Sequence, residues 1–113
     1  MKIASKLWLE RNGEKVFGDG PLDILRRVER LGSLRQAAAE INMSYSQAWD
    51  LIRGLEEKLG FALLESQTGG KAGGGSTLTP AARDLVERYT LFRQEASLEL
   101  ERIFSRYFGD FSR

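Results

Sequence analysis

Residues 33–60, which read SLRQAAAEINMSYSQAWDLIRGLEEKLG, decide the fold predicted for this chain. The stretch predicts two helices joined by a very short turn at Asn42 and Met43. Ser33 and Ser44 each stand where a serine caps a helix, and a glutamine follows each of them three residues later, as in a capping box. Apolar residues then recur at three- and four-residue steps until Gly60 ends the second helix.

Small side chains at the expected contact between these two helices set how closely they can cross. Ala37 and Ala38 in the first helix and Ala48 in the second leave little bulk between the axes. The helices can therefore cross closely and steeply, as a helix-turn-helix requires. The second helix would then present its N-terminal turns to the major groove of B-DNA. An ordinary helical hairpin within a small core is the alternative interpretation.

The composition of the 113-residue chain fits one domain and argues against several kinds of chemistry. Neither cysteine nor histidine is present, so disulfides, thiolate metal sites and the commonest general base are ruled out. We expect no catalysis and no cofactor. No apolar run is long enough to span a membrane, and residues 1–9 lack the apolar core of a signal peptide. We therefore expect a cytoplasmic protein without membrane contact.

The formal net charge of +1 is too small to support nucleic-acid binding through overall charge. Binding to DNA would depend on the local placement of basic side chains, and each of these could instead be ordinary solvated surface. The candidate phosphate partners are Arg26, Arg27, Arg30, Arg35, Arg53, Lys58 and Lys71.

Two elements are predicted before the two-helix stretch. Residues 3–17 alternate in character and contain the pair Asn12-Gly13, which is a strong signal for a β-hairpin. Residues 18–20 are expected to break this pattern, and Pro21 is expected to lie in the first turn of a helix that ends at Gly32. This helix would complete a three-helix core.

The segment after Gly60 predicts a β-wing. Residues 61–65 form a strand candidate, a glycine-rich loop follows, and Leu78 would return on a second strand. We expect the loop backbone near Gly70 to approach DNA phosphates, with Lys71 adding a positive charge. A flexible loop without function is the alternative. A nucleotide-binding P-loop fits poorly, because a strand is predicted where that motif requires a helix.

The C-terminal segment predicts one long helix. Thr79 stands as its cap and Pro80 at its first position, and no helix breaker occurs before Gly109. Such a helix would be about 45 Å long, whereas a small domain is about 30 Å across. We therefore expect part of its apolar stripe to pair with a second copy, although packing wholly on its own domain is the alternative. The predicted dimerisation residues are Leu85, Tyr89, Phe92, Ala96, Leu100 and Ile103.

The order of elements and several motifs resemble a known family. IRGLEEKLGFALL at 52–64 and LTP at 78–80 resemble the winged helix-turn-helix of LysR-type regulators. SYSQAWD at 44–50 and TGGKAGGG at 68–75 are more similar to the N-terminal DNA-binding domain of molybdate-responsive, ModE-type transcription regulators. The resemblance covers roughly residues 7–89. It implies a mainly α (α+β) winged helix-turn-helix dimer whose recognition helix, residues 44–59, docks in the major groove.

The resemblance also implies a domain organisation and a set of DNA contacts. Residues 1–79 would be the DNA-binding domain, with the hairpin at 1–18, and residues 80–113 the dimerisation helix. Trp49 and Asp50 stand where LysR-type proteins favour a serine and a basic residue. The predicted DNA-binding residues are Ser44, Tyr45, Ser46, Gln47, Trp49, Arg53, Arg35, Lys71 and Gly70.

The predicted function is sequence-specific regulation of transcription by a homodimer on double-stranded DNA. Full-length ModE-type regulators resemble a fusion with C-terminal oxyanion-binding domains, and no such segment follows Arg113, so a separate oxyanion-sensing partner is an open expectation. The alternative function is a molybdate or tungstate sensor or storage protein that uses the glycine-rich loop. A protein-interaction module that kept the fold and lost the DNA is a third interpretation.

Overall fold

The computed structural model describes residues 1–67 and 75–112. Two antiparallel two-stranded sheets accompany four helices, which confirms the predicted mainly helical winged helix-turn-helix. The elements in chain order are β1 (Trp8–Arg11), β2 (Glu14–Gly18), α1 (Asp19–Leu31), α2 (Leu34–Glu40), α3 (Tyr45–Leu59), β3 (Leu64–Gln67), β4 (Gly75–Leu78) and α4 (Pro80–Phe108).

Local hydrogen bonds fix the start of each helix of the helix-turn-helix. Ser33 Oγ accepts a hydrogen bond from the backbone N–H of Gln36 at 3.1 Å, and Ser44 Oγ accepts one from Gln47 at 3.1 Å. The backbone N–H of Ser44 donates in return to Gln47 Oε1 at 3.0 Å, which completes a capping box on α3. The turn between α2 and α3 contains Asn42 with φ of +55°, a conformation that asparagine adopts more readily than most residues.

The core forms where α1, α2 and α3 pack together. Ala37, Ala38 and Ala48 are all fully buried, which is consistent with the close crossing that the sequence predicted. Val28 from α1 and Ile52 from α3 are buried with them in one continuous hydrophobic cluster. The second helix of the motif is therefore held by its apolar face, which leaves its polar face outside.

The predicted N-terminal hairpin packs on this core. Asn12 and Gly13 have φ values of +53° and +79°, as a two-residue hairpin turn of type I′ requires. Phe17 is fully buried and meets the Tyr89 ring edge-on at 5.2 Å between centroids. The Arg11 guanidinium donates at 3.0 Å to the carbonyl of Lys58, so the hairpin is also joined to the last turn of α3.

Several predicted boundaries are displaced. β1 begins at Trp8 and not at residue 3, and β2 continues through Gly18, where a break was expected. α1 begins at Asp19, before the expected Pro21, because Gly18 is extended and the Asp19 side chain accepts hydrogen bonds from α4. β3 begins at Leu64 and not at residue 61. The backbone of Leu63 is held in place by the Glu56 carboxylate, which accepts its N–H at 2.7 Å.

The wing is attached to the turn between α1 and α2. β3 and β4 pair antiparallel, and the N–H of Ser76 donates to the carbonyl of Gly32 at 3.0 Å. A Cβ on Gly75 would lie 2.6 Å from that carbonyl oxygen, so a side chain there would force the wing away from the turn. The predicted loop contacts, Gly70 and Lys71, lie outside the described residues.

The long C-terminal helix leaves the core part of the way along its length. α4 has 29 residues and begins at the Thr79 cap, whose Oγ1 accepts the N–H of Ala82 at 3.1 Å. Its buried residues are Ala82, Val86 and Tyr89, all in its first half. The molecule extends 60 × 30 × 22 Å. Within the described ranges, no helix is long and apolar enough to cross a membrane.

Candidate nucleic-acid interface

The N-terminal turn of α3 is uncovered by the parts of the chain that the structure describes. Ser44, Tyr45, Ser46 and Gln47 are all exposed, as the sequence predicted for a helix that enters a groove. Two of these four side chains have a structural task as well, since Ser44 and Gln47 form the capping box. Their polar atoms therefore fix the start of the helix, whereas Tyr45 and Ser46 take no part in the cap.

The outward face of α3 continues with charged residues at helical spacing. Ser46, Asp50, Arg53 and Glu57 are exposed and recur at three- and four-residue steps. Asp50 was not among the predicted contacts, although its spacing from Ser46 places it on the same face. A carboxylate in the major groove can accept a hydrogen bond from the cytosine amino group. The face thus offers both a donor and acceptors for base edges.

A row of aromatic and arginine side chains lies beside this face. The Arg35 guanidinium is 4.1 Å from the centroid of the Tyr45 ring, and the Tyr45 and Trp49 rings meet nearly at right angles with centroids 6.2 Å apart. Arg53 lies 5.5 Å from the Trp49 ring. We call Arg35, Tyr45, Trp49 and Arg53 the cation–aromatic row. This row joins α2 to α3. Each of its four residues was predicted from the sequence as a separate DNA contact.

The three arginines of α1 are bound to other side chains. Arg27 donates to Glu40 at 2.8 Å and Arg30 at 2.5 Å, and these hydrogen bonds hold the pKa of Glu40 below its ordinary value. Arg26 donates to Thr90 Oγ1 at 2.7 Å. These contacts join α1 to α2 and α4. The basic residues of α2 and α3 that remain for DNA are Arg35, Arg53 and Lys58, all of which are exposed.

The predicted dimerisation residues of α4 divide into two groups. Leu85 packs partly against the core, whereas Phe92 is 49% exposed. Ala96, Leu100 and Ile103 are half-buried beyond the last buried residue of the helix. Tyr89 does not belong to an exposed stripe: it is only 2% exposed, because the hairpin and α1 cover its ring.

Tyr89 is the centre of a polar network that joins α4 to the N-terminal part of the chain. Its hydroxyl hydrogen is shared between two acceptors, Oδ1 of Asp19 at 2.8 Å and the carbonyl of Leu7 at 2.9 Å. Burial, followed by the hydrogen bond to Asp19, raises the pKa of Tyr89 to about 12. Arg93 donates to the same carboxylate at 3.2 Å and to the carbonyl of Ser5 at 2.8 Å.

The arrangement of α1 to α3, with the wing after α3 and an exposed polar recognition face, defines a winged helix-turn-helix protein. The sequence model of the family described as "Bacterial regulatory helix-turn-helix protein, lysR family" matches residues 21–83, more than half of the 113 residues. The chain therefore belongs to the lysR family of bacterial regulatory helix-turn-helix proteins.

Individual relatives show which kind of regulator the chain resembles. The chain is 38% identical over 88 residues to the molybdenum-pterin-binding protein MopB of Rhodobacter capsulatus, a match that covers 78% of this chain and 32% of MopB. It is 35% identical over 82 residues to the DNA-binding transcriptional dual regulator ModE of Escherichia coli K12, covering 72% of this chain and 31% of ModE. These relatives confirm the predicted resemblance to ModE-type regulators. The chain spans about a third of their length.

A solved structure supports the fold independently. The chain matches full-length CbnR, determined in complex with its target DNA, with a TM-score of 0.55 and 24% sequence identity. The match covers 74% of this chain and 27% of CbnR. At this identity the match speaks for the winged helix-turn-helix fold alone.

Proposed function

We propose that this chain is a sequence-specific DNA-binding transcription regulator that acts without catalysis. The observation that carries the proposal is the uncovered N-terminal turn of α3, which is fixed by a capping box and exposes Tyr45 and Ser46. An α-helix of this kind fits the major groove, where base edges present distinct donor and acceptor patterns. Ser46 and Asp50 read base edges, and Arg53 binds the adjacent phosphates. Binding to chromosomal DNA is consistent with a cytoplasmic protein.

The names of the relatives favour the same function. ModE of Escherichia coli is named a DNA-binding transcriptional regulator, and CbnR was solved with its target DNA. We also propose that the sequence between β3 and β4, which contains Gly70 and Lys71 and lies outside the described residues, binds the DNA backbone. The oxyanion-sensing or storage alternative has less support, because the family match runs across the helices of the DNA-binding motif.

The regulator acts as a homodimer through α4. Large apolar side chains stay exposed on this helix after Tyr89, and an exposed apolar surface of this kind is typical of an interaction site. Pairing of α4 with the same helix of a second copy covers Phe92, Ala96, Leu100 and Ile103. Such a dimer presents two recognition helices to two half-sites, which compensates for the small net charge of one chain.

Selection of bound duplexes from a random DNA pool, followed by titration at several salt concentrations, tests this function. We expect at least about 1,000-fold tighter binding to the selected duplex than to random duplex. Asp50→Ala should change the selected bases. Lys71→Ala should weaken binding to the selected and the random duplex alike. It should also reduce by about 0.9 the salt slope, which is the slope of the logarithm of the binding constant against the logarithm of the salt concentration. Absence of salt-dependent binding to any duplex would refute the proposal, and calorimetric titration with molybdate and tungstate would then test the oxyanion alternative.

A further inference from the structure

In the described interface, the cation–aromatic row is the part in which arginine side chains lie by aromatic rings. Arg35 extends from α2 and Arg53 from α3, and each guanidinium lies by an aromatic ring of α3. Within the described residues neither guanidinium has a hydrogen bond or an ion pair. Arg27 and Arg30, by contrast, donate to the Glu40 carboxylate. The N–H donors of Arg35 and Arg53 are therefore open to an external acceptor.

The rings restrict where these two side chains can go. An arginine that lies by an aromatic ring is attracted to the ring face, by about 0.5–1 kcal/mol at an exposed position. The Tyr45 ring is in turn supported by Trp49, which packs partly against the hydrophobic core. The order from the core outward is thus Trp49, then Tyr45, then Arg35. The uncharged Tyr45 ring therefore determines where the positive charge of Arg35 lies.

The outward face of α3 gives these arginines a specific task. Asp50 and Glu57 lie exposed on it and repel phosphates, so Arg53 is the residue that brings positive charge to this face. Arg35 adds the second charge from the neighbouring helix. Because a guanidinium binds phosphate oxygens in a fixed, planar geometry, a pre-placed arginine loses less freedom on binding than a free one.

We propose that Tyr45 and Trp49 are positioning residues that hold Arg35 and Arg53 for binding to DNA phosphates. Tyr45 then contributes to the salt-dependent part of DNA binding, although it carries no charge. This inference rests on the proposed DNA-binding function and assigns Tyr45 a role different from base reading. It predicts that removal of the ring resembles, in part, removal of the arginine.

A double-mutant cycle on Arg35 and Tyr45 tests the inference, with the selected duplex and a random duplex titrated over a range of salt concentrations. Arg35→Ala should weaken binding to both duplexes by the same factor and reduce the salt slope by about 0.9. Tyr45→Leu should weaken both by roughly two- to fivefold and also reduce the slope. In the Arg35→Ala background, Tyr45→Leu should have less than a twofold further effect.

Two further variants separate positioning from other roles. Tyr45→Phe keeps the ring and removes the hydroxyl, so it should retain the salt slope that Tyr45→Leu loses. Arg106→Ala is the matched charge control, because Arg106 lies 5.1 Å from the Tyr107 ring at the far end of α4, away from α3. Its salt slope should equal that of the unaltered protein. Thermal unfolding of every variant confirms that the domain is folded.

The possible outcomes distinguish this inference from the function on which it rests. An unchanged salt slope for Tyr45→Leu, or additive losses in the double variant, would overturn the positioning role while DNA binding stands. Equal losses for Tyr45→Phe and Tyr45→Leu on the selected duplex alone would do the same, since they would show that the hydroxyl reads a base. If the unaltered protein binds no duplex with salt dependence, the proposed function itself fails.

Discussion

The helix-turn-helix, residues 33–60, buries its apolar side chains within its own chain. The distal part of α4, residues 97–108, leaves apolar side chains exposed. In the first region both helices have serine caps, and Ile52 is fully enclosed by its own chain. In the second region Tyr107 is 67% exposed and Phe108 is 45% exposed, and no residue is buried. The helix-turn-helix is therefore complete in one chain, whereas the surface of distal α4 is of the kind that a second molecule covers.

The largest expected effect comes from the core of the first region. Ile52→Ala should lower the free energy of unfolding by about 2–5 kcal/mol, because it leaves a cavity in a fully buried position. Leu98→Ala is the matched control in the second region, where the change should be within about 0.5 kcal/mol. Urea unfolding measures both. Similar losses for the two variants would show that the two regions do not differ as described.

The next effect concerns association. Ile103→Glu should weaken the proposed dimer by roughly 2 kcal/mol per subunit, because it places a charge where apolar surface is buried. Sedimentation equilibrium measures the dissociation constant, and circular dichroism should show that the helix content is retained. Leu98→Glu, on another side of the same helix, is the control and should leave the dimer intact. A dimer that survives Ile103→Glu would place the interface elsewhere.

The junction between the two regions gives an intermediate effect. Tyr89→Phe removes the hydroxyl that bonds Asp19 and Leu7, and should lower the free energy of unfolding by about 1–3 kcal/mol. The pKa of Tyr89 is raised from 10.0 to about 12 on folding, so the hydroxyl stabilises the fold fully below pH 10. The advantage of tyrosine over phenylalanine should therefore shrink between pH 10 and pH 12. Denaturant titrations across that pH range measure the difference in free energy of unfolding between the two proteins. A difference that stayed constant would contradict the network.

The smallest expected effect comes from a comparison of Ser44, which caps α3, with Ser46, which lies on the exposed face. Ser44→Ala should cost about 1 kcal/mol of stability, because the N–H of Gln47 loses its acceptor. Ser46→Ala, two residues away on the exposed face, should change stability by less than about 0.5 kcal/mol. Thermal denaturation of both variants checks the contrast. An equal loss for Ser46 would show that this side chain also supports the helix.

Local chemistry explains which features the sequence could predict. The caps at Ser33, Ser44 and Thr79 and the Asn12-Gly13 turn depend on residues within four positions of one another, and all of them occur. The start of α1 was predicted too late, because Asp19 is stabilised by Tyr89, 70 residues away. A short-range pattern contains no information about that contact.

The same limit explains the misplacement of Tyr89 and of β3. Helical periodicity identifies one face of α4 but does not show how far the core covers that face, so Tyr89 was grouped with exposed residues. β3 starts at Leu64 because Glu56 and Thr79 hold Leu63 in a loop conformation. The cation–aromatic row was missed as a unit, since Arg35 and Tyr45 come together only when α2 and α3 cross.

The central claim is that the exposed N-terminal turn of α3 enters the major groove, and nuclear magnetic resonance during titration with a selected duplex tests it most directly. The account predicts that the largest changes in backbone amide shifts occur in residues 44–53, with smaller changes near Arg35. Changes concentrated in the distal part of α4 or in the hairpin, with residues 44–53 unaffected, would contradict it.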